Sequence, residues 1–61
     1  MRPEFSNPIE ENLYEILCRD SCGIDALFDQ TGYEIAVIMN ALGSMEIEGI
    51  VQNSGGMYRV I

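Results

Sequence analysis

The chain has 61 residues, with 10 acidic side chains against 3 basic ones, a net charge of −7 and a pI of about 4.1. At this length a fold buries only about 60% of the surface that its unfolded chain exposes, so a deep catalytic cleft would draw on apolar residues the core needs. Apolar residues make up 48% and charged ones 21%, a balance that specifies one small folded acidic domain and excludes an intrinsically disordered segment.

The basic residues are Arg2, Arg19 and Arg59, and neither lysine nor histidine occurs. Nucleic-acid binding takes most of its sequence-independent affinity from Lys and Arg on phosphates, and three scattered arginines form no basic stripe. Anionic membrane surfaces are disfavoured for the same reason. No apolar run approaches the roughly 20 residues of a membrane span, and the opening MRPEFSNP has no signal-peptide character. The expectation is a soluble, cytoplasmic protein with no membrane partner and no cofactor. Residues 1–7 read as a linker or a cloning remnant, and residues 8–61 as the folded domain.

Asn7, Pro8 and Glu10 supply an N-cap, a proline at the first helical position and a capping-box partner, so a helix begins near Pro8. Ile9, Leu13, Ile16 and Leu17 form its apolar stripe, and Glu10, Glu11 and Glu15 read as a solvated face near the positive end of the helix dipole. An acid/base or metal cluster would need a further converging group. The helix ends around residues 18–20. Cys18 and Cys22 are too few for a structural zinc without histidine or a second chain, and a disulfide between them would close a very short loop. They read as small hydrophobes.

Residues 22–24 suggest a short bridge-like strand, and Asp25 an N-cap for a second helix containing Ala26, Leu27 and Phe28. Thr31 and Gly32 close it, glycine taking the left-handed position. After a turn carrying Tyr33, a third helix starts near Glu34 and buries Ile38, Leu42 and Met45, with Ala41 between them and Gly49 as terminator. Residues 49–53 and 57–61 read as strands around a Ser54-Gly55-Gly56 hairpin loop. Two helices joined by a short glycine-bearing turn, followed by a hairpin, specify an α+β winged helix-turn-helix with three helices and a small antiparallel sheet, to which the strand at 22–24 adds a third member. Tyr14, Phe28, Tyr33 and Tyr58 read as core or core-edge residues, although Tyr58 also has the reach to stack on a base.

The stretch TGYEIAVIMNALGSMEIEGIVQNSGGMYRVI resembles the end of the C-terminal winged-helix domain of the DNA-processing protein DprA/Smf family, and ENLYEILCRDSCGIDALFDQ fits the same domain. The pattern lies in Thr31-Gly32, in the run Met45-Glu46-Ile47-Glu48-Gly49-Ile50-Val51, where the family favours leucines, and in Gly55, Gly56, Tyr58 and Arg59 of the wing. The resemblance implies a bacterial recombination mediator that binds incoming single-stranded DNA in natural transformation and helps load a RecA-type recombinase. It also implies that the parent self-associates. The parent's main DNA-binding surface belongs to a Rossmann-like domain absent from this sequence, so the chain reads as its C-terminal piece.

In a DNA-reading winged helix the third helix enters the major groove and the wing touches the backbone. The candidates here are Asn40 on that helix and Gln52, Asn53 and Arg59 in the wing. Glu34, Glu46 and Glu48 oppose phosphate, which makes an auxiliary contact within the parent a better expectation than autonomous binding. The other use of the third helix is protein contact through Ile35, Met39 and Gly43, spaced i, i+4 and i+8, which are either a docking stripe or part of the core. Catalysis has no histidine, lysine or phosphate-cradling loop to draw on, and acidic surroundings disfavour a cysteine thiolate. The sequence therefore favours a protein-contact or self-association module with no catalytic or metal site. The other readings are a DNA-binding arm and a free-standing transcriptional regulator.

Overall fold

A computed structural model describes residues 3–5 and 7–61. Helix α1 (Pro8–Arg19) starts where its cap chemistry dictates. The Asn7 side chain accepts from the Glu10 backbone N–H at 2.9 Å, while its amide donates to Glu10 Oε2 at 3.3 Å. The cap thus satisfies one of the orphan donors of the first turn and orients the carboxylate beside it. Leu13 and Leu17 are buried, with Ile9 and Ile16 packed at the edge of the core.

Helix α2 (Ile24–Thr31) begins earlier than an Asp25 cap would place it: Gly23 is the N-cap, without a side-chain cap bond. The Leu27 N–H already reaches Gly23 O at 3.1 Å, so Asp25 falls inside the first turn, where its charge still suits the dipole. Only residues 20–23 remain between α1 and α2, too few for the strand expected at 22–24. Cys22 alone bridges to Tyr58 of the wing, donating at 3.1 Å and accepting at 2.8 Å. The sheet consequently has two strands rather than three.

Thr31 organises the turn into α3 (Ile35–Ile47). Its hydroxyl donates to Leu27 O at 2.7 Å and accepts from the Tyr33 N–H at 3.1 Å, while Gly32 takes φ 74°. Tyr33 packs against the core from this corner, and its hydroxyl accepts from Asn12 Nδ2 at 2.6 Å. In α3, Ile38, Ala41, Leu42 and Met45 are buried, the stripe the spacing predicts. The helix ends in a Schellman motif: Gly49, at φ 77°, donates to Glu46 O, and Ile50 donates to Met45 O at 2.9 Å.

The chain then turns into β1 (Val51–Ser54), which pairs antiparallel with β2 (Met57–Val60) in the register Val51↔Val60 to Ser54↔Met57. The hairpin loop is two residues rather than three, because Ser54 joins the ladder; Gly55 and Gly56 both have positive φ, as a type I′ turn requires. Gly49 and Ile50 belong to the preceding turn rather than to β1. The core closes between α1, α2, α3 and Val51, with Tyr58 and Val60 packed against it.

Two side chains depart from their expected environments. Phe28 is 43% exposed, because α2 turns Leu27 into the core and Phe28 lies about 100° further round the helix. Glu10, expected on a solvated face, is only 7% exposed, whereas Glu11 and Glu15 are exposed. Glu10 stands three and seven residues before Leu13 and Leu17, at the margin of their stripe, where Asn7 binds it. The linker reading of residues 1–7 falls in part on residues 1, 2 and 6, which lie outside the described residues, as does Arg2. Within that stretch, Phe5 packs on the core with its ring centroid 5.1 Å from that of Tyr14.

Removing the cap by Asn7→Ala is expected to cost about 1 kcal/mol, read from the urea midpoint. Leu42→Ala empties a fully buried site, at a cost of about 2–5 kcal/mol. Against a total of roughly 3–9 kcal/mol for a chain of this size, its helical circular dichroism should disappear at much lower urea.

Candidate functional site

The third helix is apolar over most of its surface, and what it leaves uncovered defines the candidate interface. Ile35 is 44% exposed and Met39 54%, one turn apart. Gly43 follows one turn later, half-buried, and a Cβ built there would meet nothing within 4 Å. Glycine in a helix interior destabilises it relative to alanine, and no close approach among the described residues requires it here. The three residues line one face, separate from the buried stripe.

Asn40 is exposed but belongs to another flank, where it lines a groove between α1 and α3 whose opposite wall carries Asn7 and Glu10. The wing residues Gln52 and Arg59 are cross-strand partners. With its amide oxygen turned toward the guanidinium, Gln52 accepts from Arg59 Nε at 2.8 Å, so part of the cation is already engaged. Asn53 is exposed, and its Oδ1 accepts from the Gly56 N–H at 3.1 Å, bracing the wing turn. The structure thus brings Gln52 and Arg59 together, uses Asn53 locally, and sets Asn40 on the wall of a groove that Glu10 also lines. Tyr58 packs against the core.

Both thiols are free; Cys18 is exposed and Cys22 buried. The Cys22 sulfur lies 3.6 Å from Asp20 O and 3.8 Å from Gln30 Nε2. Among the described residues, no three His, Cys, Asp or Glu side chains gather as a metal site would need. None of the helices is long and apolar enough to cross a membrane.

A helix α1, a short-turned pair α2–α3 and a terminal antiparallel hairpin, tied back to the helices by the Cys22–Tyr58 bridge, define a winged helix-turn-helix. The model of the DprA winged helix domain family matches residues 2–57, and the chain belongs to that family. Neither a curated protein nor a solved structure matches it.

Under native conditions a thiol reagent should modify Cys18 rapidly and Cys22 only as the domain opens, which stopped-flow absorbance with an aromatic disulfide resolves as two phases. Gly43→Ala should raise the stability of the monomer by about 0.5–1 kcal/mol, measured by urea unfolding.

Proposed function

We propose that this winged helix serves a DprA-type protein as a self-association module, binding a second copy through the Ile35–Met39–Gly43 face of α3. One observation carries the reading: the helix that reads DNA in other winged helices presents exposed Ile35 and Met39 and has no lysine or arginine. Burying such side chains contributes about 25 cal/mol per Å² of apolar surface, whereas a phosphate approaching this helix would meet Glu34, Glu46 and Glu48. Gly43 adds to the argument, since a helix without a side chain at that level admits close approach by another backbone.

In this reading the module helps a cytoplasmic recombination mediator build higher-order complexes on incoming single-stranded DNA and load a RecA-type recombinase. The domain itself is a binding module and not an enzyme. DNA enters as a secondary contact: Arg59 and Gln52 reach the backbone only when the rest of the parent supplies the attraction.

Sedimentation velocity over rising concentration should show the 61-residue chain associating, and Met39→Asp should leave a folded monomer at every concentration. A wild-type chain that stays monomeric, or an unchanged association in Met39→Asp, would sink the proposal. Labelled single- and double-stranded oligonucleotides, titrated at two salt concentrations, should bind the isolated chain weakly or not at all; tight, salt-sensitive binding would put the DNA-arm reading first.

A further inference from the structure

The groove between the first turn of α1 and α3 is independent of the Ile35–Met39 face, which lies about 150° around the α3 axis at about 100° per residue. Its volume is about 320 Å³. Glu10 lines it, only 7% exposed, and its Oε2 accepts from the Asn7 side chain at 3.3 Å. Among the described residues, no hydrogen bond reaches Oε1. No sealed side-chain oxygen among the described residues lacks a hydrogen bond, so Oε1 keeps some solvent access, and Glu10 lines the groove. Across from it, α3 contributes Asn40 and Ser44, while Ile9 and Val37 supply apolar wall.

A charge-assisted hydrogen bond to a carboxylate that lines a partly apolar groove is stronger than one between neutral groups. Guanidinium fits the chemistry: it is planar, less strongly hydrated than ammonium, and its donors can satisfy Oε1 together with the side-chain oxygens of Asn40 and Ser44 while its methylene stem lies on Ile9 and Val37. The net charge of −7 attracts a basic segment and repels a nucleic acid. We propose that this groove receives an arginine side chain from a basic peptide segment of a partner protein, with Glu10 as the charged anchor and Asn40 and Ser44 as its polar wall.

The test uses the 61-residue chain and a terminally blocked Gly-Gly-Arg-Gly-Gly peptide, followed by chemical shifts of the backbone amides. The arginine peptide should perturb residues 9–10, 37, 40 and 44, and the same peptide with neutral citrulline should not. Glu10→Gln keeps a side chain suited to the capping position, so its spectrum should remain that of a folded domain. Its affinity should fall by about tenfold or more, as expected when a charge-assisted hydrogen bond is lost. Glu11→Gln, which removes the same charge from an exposed position, should change affinity by less than about twofold. Equal losses in the two variants would mean diffuse attraction to an acidic surface and overturn the proposal, as would equal binding of citrulline or shifts confined to residues outside the groove. Met39→Asp should leave the peptide affinity unchanged, which separates this site from the self-association face.

Discussion

Every element of this domain depends on the buried stripe of α3. Ile38, Leu42 and Met45 are fully buried and meet Leu13 and Leu17 from α1, Leu27 from α2 and Val51 from β1. A 61-residue chain has no second core to fall back on, so α3 must give one face wholly to packing. The remaining circumference is shared between two flanks of different character. On one, Ile35, Met39 and Gly43 make an apolar strip; on the other, Val37, Asn40 and Ser44 face the first turn of α1. The same helix that holds the fold together thus divides its surface between an exposed apolar strip and a groove with polar walls.

The scarcity of cations gives those flanks their meaning. Arg59 is shared with Gln52 across the wing, and Arg19 closes α1 where its charge complements the helix dipole. Neither stands on α3. A winged helix whose third helix carries no positive charge has the shape of a DNA reader without the charge that draws a phosphate backbone to one.

Features set by local chemistry were legible in the sequence. Asn7-Pro8 starts a helix wherever it stands before an apolar stripe; Thr31-Gly32 and Gly49 end helices through backbone conformations that favour glycine; Gly55-Gly56 turns a hairpin for the same reason. The family could be read from the same signals, because they fall in the order a winged helix requires. Features set by how helices meet were less legible. Asp25 looks like a better cap than Gly23, but the chain between α1 and α2 is too short to delay the helix. Phe28 is the largest apolar residue of α2 and is still 43% exposed, because Leu27 takes the fully buried place and Ile24 and Ala26 pack at its edge. Glu10 carried a usable signal, its spacing to Leu13 and Leu17, which its charge obscured. Asn40 and Ser44 gave no sign that they would share a groove with Glu10, since that groove exists only once α1 packs on α3.

The Cys22–Tyr58 bridge has a consequence for assembly. By pairing with β2 on the side away from β1, it occupies part of the outer edge of β2, leaving β1 as the longer open margin of the sheet among the described residues. That margin carries Gln52, Asn53 and Ser54 over only a four-residue strand, a short polar border that offers little template for strand addition. Edge-to-edge stacking of one sheet on another is therefore discouraged.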